Sequence, residues 1–217
     1  DADYILCSWT PISARMIEAA PRLKLIQKYG IGVDKIDLKA AARRGVPVAI
    51  AAGANSVAVA ETAITLMLAV YKRLCVAHNS LRNGQWLKWE LRTGCYELWQ
   101  KTVGLIGGGA IGRAVAKRLS HGFECRVLYY DAVRLAPETE TAMGMTFTSM
   151  EDILREADIV SLHVPLLPET RGLIGAKAFA LMKPSAVLIN TARGGVVDEP
   201  ALIEALRTKR IASAGLD

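Results

Sequence analysis

Long apolar runs are missing from this sequence. Glu61 and Lys72 interrupt the best candidate, and nothing approaches the roughly 18 residues that a membrane-spanning helix needs. No membrane partner is expected. The four cysteines, Cys7, Cys75, Cys95 and Cys125, are far apart and form no CxxC pair. Their pattern argues against a metal site and for reduced thiols in a cytoplasmic protein. A concentrated basic face is absent as well. The net charge of +6, from 27 Lys and Arg against 21 Asp and Glu, is scattered, with its densest clusters at Arg43-Arg44 and 207–210. Nucleic acid is therefore not the expected partner. Internal repeats, low-complexity tracts and any stretch resembling a signal peptide are lacking too. What the chain does have is core material: 52% hydrophobic against 22% charged residues excludes disorder. It opens on Asp1 rather than Met and stops after an apolar run at Ala214-Gly215-Leu216-Asp217. Those ends suggest a piece of a longer protein.

Short β-branched runs alternate with amphipathic stretches that carry polar caps, the pattern of a parallel sheet covered by helices. Thr10 before Pro11 marks a helix start, with the helix running over 10–20. A strand over 23–28 follows, then a short helix that Asp37 caps and Gly45 ends, then a strand over 46–50. After Gly53-Ala54-Asn55-Ser56, a helix over 57–74 is apolar around most of its circumference and should be buried between layers or subunits. A second helix near 76–83 leads to Trp86, Trp89, Tyr96 and Trp99, which are expected to pack at a domain junction. From Lys101 the alternation becomes regular. Strands are expected at 102–106, 125–130, 158–163, 186–190 and 211–215, with helices at 110–120, 150–156, 176–182 and 200–208. Ser149 with Asp152 approximates a capping box, and Asp198 with Pro200 starts the last helix.

The strand over 102–106 runs directly into Gly107-Gly108-Gly109-Ala110-Ile111-Gly112 and then a helix. Glycines there could simply mark a tight turn. In the order strand, glycine turn, helix and strand, however, they form a dinucleotide fingerprint. Gly107 permits the turn, Gly109 lets the backbone approach a pyrophosphate, and Gly112 allows the helix to pack closely on the strand. The helix N-terminus, with Ala110 and Ile111, offers amides to the phosphates. Asp131 follows the apolar strand and lies 19 residues beyond Gly112. Its carboxylate suits the ribose hydroxyls of NAD and disfavours the extra phosphate of NADP, although nearby Arg134 leaves NADP open.

Together, several segments resemble the D-isomer-specific 2-hydroxyacid dehydrogenase family, its D-3-phosphoglycerate dehydrogenase-like group in particular. They are Tyr29-Gly30-Ile31-Gly32-Val33-Asp34, Gly53-Ala54-Asn55-Ser56-Val57-Ala58-Val59-Ala60-Glu61, the glycine fingerprint, His163-Val164-Pro165-Leu166-Leu167-Pro168-Glu169-Thr170, Leu181-Met182-Lys183-Pro184 and Asn190-Thr191-Ala192-Arg193-Gly194-Gly195-Val196-Val197-Asp198. The resemblance implies an α/β protein with a doubly wound, Rossmann-type NAD-binding domain over 55–217, incomplete at its C-terminus. A smaller, incomplete, flavodoxin-like substrate domain would occupy 1–54, short of about one strand in front. Hydride would pass between the nicotinamide and C2 of a small 2-hydroxy or 2-oxo acid.

By resemblance Arg193 is the catalytic Arg, and the family's catalytic Glu and His would come after Asp217. These 217 residues alone are thus expected to be nearly inactive. His163, Pro165, Thr170, Thr191, Ala192 and Asp217 would join the cofactor side, and the amides of Ile31 and Gly32 would bind the substrate carboxylate. His78, His121 and His163 are expected in structural roles rather than as the general acid. The helix over 57–74 would form a homodimer interface. Cys7-Ser8-Trp9-Thr10 lacks the Arg that phosphoglycerate enzymes carry there, and Ile50-Ala51-Ala52 replaces a more polar segment. A smaller or more apolar 2-oxo acid is credible. An alternative from another class is a dinucleotide-sensing corepressor on the same fold.

Overall fold

Polar caps and short buried strands set the boundaries of this fold. The computed structural model describes residues 2–217, in two compact units that meet in sequence at Asn55 and Ser56. The N-terminal unit runs β1 (Tyr4–Cys7), α1 (Ala14–Glu18), β2 (Leu25–Lys28), α2 (Leu38–Arg43) and β3 (Val48–Ile50). Its three strands lie parallel in the order β1-β2-β3. Ile17, Ile26, Ala40 and Val46 fill its core.

The helix expected from Thr10 starts later. Ile12 pairs with Ile36 in an isolated bridge, and Ser13 accepts a hydrogen bond from the Met16 amide at 3.4 Å, so α1 begins at Ala14. Asp37 caps α2 as expected, accepting from the Ala40 amide at 2.8 Å. Strand β1, the short apolar run Tyr4-Ile5-Leu6-Cys7, was not among the expected strands.

The C-terminal unit begins with α3 (Ser56–Tyr71) and α4 (Leu74–Arg82). The continuous helix over 57–74 is shortened because Arg73 adopts a left-handed conformation, φ 51°, between the two. The alternating elements follow: β4 (Thr102–Ile106), α5 (Ala110–Gly122), β5 (Arg126–Tyr130), α6 (Pro137–Met143), β6 (Met145–Phe147), α7 (Met150–Glu156), β7 (Ile159–Leu162), α8 (Ala176–Leu181), β8 (Val187–Asn190), α9 (Glu199–Arg207) and β9 (Ser213–Leu216). A 3₁₀ turn at Gly194–Val196 precedes α9. All six strands are parallel, in the order β6-β5-β4-β7-β8-β9. Chain order reverses at β4 and β7, which makes this a doubly wound sheet.

Period-two alternation sends successive strand residues to opposite faces. Val103, Leu105, Tyr129, Ile159 and Ile189 point to the face covered by α3 and α5. Ile106, Leu128, Val160, Leu162 and Leu188 point to the face covered by α7, α8 and α9. Helix α3 buries Ala60, Ala63, Ile64 and Met67 against this core, while Val57 stays 54% exposed. Ser149 and Asp198 cap α7 and α9, each accepting a backbone amide. Trp86, Trp89, Tyr96 and Trp99 are all exposed, with Trp89 flanked by Lys88 and Arg92 and the Trp99 indole donating to Glu124. Among the described residues no helix is long and apolar enough to cross a membrane.

Candidate dinucleotide site

The C-terminal ends of β4 and β7 meet where the strand order reverses, the position at which open parallel sheets hold ligands. The glycine turn leaves β4 at this point. The Gly107 amide bonds the Tyr130 carbonyl at 2.8 Å and the His163 amide bonds the Ile106 carbonyl at 2.7 Å, which draws three strand ends together. Gly107 has φ +112°, and a side chain on it would come within 2.7 Å of the His163 backbone. A Cβ on Gly112 would lie 2.1 Å from the Gly107 carbonyl oxygen, so α5 can pack on the turn only with glycine there. Gly109 is different: a Cβ would meet nothing within 4 Å. Its bare backbone faces open space, and no side chain caps α5. The first amides of this 13-residue helix have no intrahelical partner and present the positive end of its dipole.

Asp131 stands one residue beyond β5. Its Oδ2 accepts the Gly108 amide at 2.7 Å, and Oδ1 the Val133 amide at 3.4 Å. Arg113, on the first turns of α5, donates to the Gly108 carbonyl at 3.0 Å. His163 follows β7 with Nε2 3.0 Å from the Ser161 hydroxyl, and burial pushes its imidazole down to about 4. The ring is therefore neutral near pH 7. The loop beyond it is closed by Thr170, whose Oγ1 donates to the Pro165 carbonyl at 2.6 Å and accepts the Leu167 amide at 2.8 Å.

Further along the same sheet edge, Asn190 at the end of β8 ties the next turn. Its Oδ1 accepts the Ala192 amide and its Nδ2 donates to the Arg193 carbonyl, each at 3.0 Å. The Asp217 amide bonds the Asn190 carbonyl at 3.0 Å, so Asp217 lies at this edge too. Arg193 is exposed, with Nη1 donating to the Ala192 carbonyl at 2.7 Å. The Thr191 hydroxyl is buried with no protein partner. Such a group costs free energy until a ligand or water bonds it.

The turn, Asp131, His163, Thr191, Ala192, Arg193 and Asp217 thus share one edge of one sheet. Ile31 and Gly32 belong to the N-terminal unit, on the loop after β2, where the neighbouring Gly30 carbonyl accepts the Ala51 amide at 2.9 Å. Of the other histidines, His78 is exposed on α4 and His121 bonds Ser120 and the Lys117 carbonyl at the end of α5. Sequence reasoning missed Asn190 and Arg113 as turn-holding residues. An Asx side chain two and three residues before its backbone partners was the available signal for Asn190. Among the described residues no three His, Cys, Asp or Glu side chains converge as a metal site.

Open backbone at Gly109, uncapped amides on α5, a carboxylate after β5 and an orphan hydroxyl after β8 fit a dinucleotide. The class of protein is a doubly wound dinucleotide-binding one. The family model described as "D-isomer specific 2-hydroxyacid dehydrogenase, NAD binding domain" matches residues 64–217. This chain belongs to the D-isomer specific 2-hydroxyacid dehydrogenase family, and NAD is the cofactor of the domain it carries. It is 44% identical over 211 residues to a glyoxylate reductase of Thermococcus litoralis, covering 95% of this chain and 63% of that one. It is 40% identical over 218 residues to a D-3-phosphoglycerate dehydrogenase of Mycobacterium leprae, covering 100% of this chain and 40% of that one. The holo D-mandelate dehydrogenase of Rhodotorula graminis superposes with a TM-score of 0.94 at 32% identity, over 100% of this chain and 67% of that one. The chain thus spans less than two thirds of the length of either curated relative.

Proposed function

We propose that this chain belongs to an NAD-dependent oxidoreductase that moves hydride between the nicotinamide and C2 of a small D-2-hydroxy or 2-oxo acid. The observation that carries the reading is the shared sheet edge, where the open Gly109 turn and Asp131 lie in line with Arg193. In this reading residues 55–217 bind the dinucleotide and 1–54 contribute to the substrate side. Bound NAD supplies the hydride acceptor or donor at C4 of its nicotinamide. The residues do the rest. The amides of Ala110, Ile111 and Gly112 take the pyrophosphate, and Asp131 accepts the adenosine ribose hydroxyls. His163, Pro165 and Thr170 shape the loop over the cofactor side, and Thr191, Ala192 and Asp217 face the nicotinamide end.

Arg193 grips the substrate carboxylate and polarises the adjacent carbonyl, a task suited to a fixed guanidinium fork. Ile31 and Gly32, on the glycine-containing loop after β2 of the N-terminal unit, offer backbone amides suited to a substrate carboxylate. No His in the chain suits the general-acid role of the family, since His163 is half-buried and neutral near pH 7 while His78 and His121 sit on helices away from the turn. The 217 residues alone should therefore bind NADH and turn over little.

The missing Arg beside Ser8 and the apolar Ile50-Ala51-Ala52 favour a small 2-oxo acid such as glyoxylate over a phosphorylated one, in keeping with the name of the Thermococcus relative. The relatives above are all named as enzymes and lend nothing to a corepressor role. Four unpaired cysteines support a reducing, cytoplasmic setting. A homodimer through α3 is supported by exposed Val57 and by an apolar cavity of about 510 Å³ beside Leu66, Val70 and Leu216. A panel of glyoxylate, hydroxypyruvate and phosphorylated 2-oxo acids with NADH and NADPH tests the chemistry in the full-length protein. Glyoxylate reduction with NADH is expected, and strict dependence on a phosphorylated acid would contradict the substrate reading. Light scattering on that protein should give a dimer mass.

A further inference from the structure

Asp131 is not the only residue beside the adenosine end that bears on cofactor choice. The loop 131–136 holds one cation, Arg134, and a 2′-phosphate at this position would need such a cation to offset the Asp131 charge. That cation is already engaged. Arg134 Nε and Nη2 grip the two carboxylate oxygens of Glu140 at 2.9 and 3.0 Å, a bidentate fork. Its guanidinium carbon also lies 5.4 Å from the centre of the Phe147 ring.

Glu140 is held in turn from beneath. It is only 9% exposed, on α6, and the buried Tyr129 hydroxyl donates to its Oε1 at 2.8 Å. The same hydroxyl accepts the Leu135 amide at 2.9 Å, which pins the end of the loop. The Arg134 fork, and after it the Tyr129 hydroxyl, hold the Glu140 carboxyl below the usual range, so it stays ionised. The tie reaches the phosphate turn as well. A Cβ on Gly108 would lie 3.1 Å from the Tyr129 ring and 3.3 Å from Leu135, so the turn rests on the residues that fix Arg134.

We propose that Glu140 is a specificity-determining residue for the cofactor: by sequestering Arg134 it withholds the one loop cation that could accept a 2′-phosphate, and so reinforces discrimination against NADP. The inference rests on the dinucleotide reading above. Two layers then act together, repulsion by Asp131 and neutralisation of Arg134 by Glu140, and the second is invisible to a fingerprint that stops at the strand end.

The test is calorimetric titration of the protein with 5′-AMP and 2′,5′-ADP, and with NADH and NADPH, so that no turnover is needed. In Glu140→Gln the preference for the ligand without the 2′-phosphate should fall about tenfold, the scale of one charge-assisted hydrogen bond. The double variant Glu140→Gln/Arg134→Ala should restore the original ratio. Arg134→Lys keeps the charge, loses the fork and changes an exposed side chain, so it serves should Glu140→Gln fail to fold, and it should lower the ratio about threefold. A ratio unchanged in both single variants, even if both ligands weaken together, would overturn the role of Glu140 while leaving the site intact. Absence of NADH and 5′-AMP binding by the unmodified protein would instead overturn the dinucleotide reading itself.

Discussion

The two ends of the sheet edge differ in how far the chain satisfies its own polar groups. Beside β4 and β5, the Gly108 amide bonds Asp131, Arg113 bonds the Gly108 carbonyl, and Tyr129, Glu140 and Arg134 close the following loop. Beside β8 and β9, Asn190 fixes the backbone of its turn, yet the Thr191 hydroxyl stays buried without a protein partner and the Arg193 side chain is exposed. A satisfied network is rigid before a ligand arrives, whereas an orphan group carries a penalty that a ligand relieves. The anchoring end is preorganised by side chains. The reacting end leaves one buried hydroxyl, that of Thr191, for a ligand to satisfy.

Substitutions should separate the two ends. At the anchoring end, Gly112→Val places carbon atoms about 2 Å from the Gly107 carbonyl, an overlap no rotamer removes. NADH affinity should drop by more than about 100-fold, together with several kcal/mol of stability, read by calorimetry and thermal unfolding. At the reacting end, Arg193→Gln in the full-length protein should lower kcat by about 10² to 10³ and leave NADH affinity within about twofold. A change in NADH affinity as large as the loss in kcat would merge the two ends.

His163 lies between them and supplies a pH test. Its pKa is lowered from 6.5 to about 4 by burial, so the unfolded chain takes the proton first as pH falls. Its contribution is fully present above pH 6.5 and is lost toward pH 4, by at most ~3 kcal/mol. Denaturant titrations should show His163→Asn flattening that decline, and an unchanged slope would place the titration elsewhere. The smallest effect is expected at Thr191. Thr191→Val removes the orphan hydroxyl and should leave the ligand-free protein equally stable or stabilised by up to about 1 kcal/mol, while NADH binds about three- to tenfold more weakly.

The sequence was most informative where a residue answers to the backbone beside it. The glycine turn, Asp131 and the caps at Asp37, Ser149 and Asp198 were legible because each satisfies a local requirement of geometry or hydrogen bonding, whereas Asn190 to Gly195 stood out by family resemblance alone. The start of α1 was misread because the Thr10-Pro11 signal lost to Ser13 once Ile12 bridged to Ile36. Helix α6 and strand β6 were missed for lack of a stripe: Pro137-Glu138-Thr139-Glu140-Thr141 shows no apolar periodicity, and β6 has three residues. The Glu140 tie was illegible for the same reason, since the partners that bury a Glu in so polar a stretch come from β5 and its loop.

Titration of this protein with NADH, followed by calorimetry, tests the central claim most directly. The account predicts saturable binding at one site per chain, with a Kd below about 1 mM, that Gly112→Val removes and Arg193→Gln leaves nearly unchanged. Absence of binding, or binding that survives Gly112→Val unaltered, would contradict it.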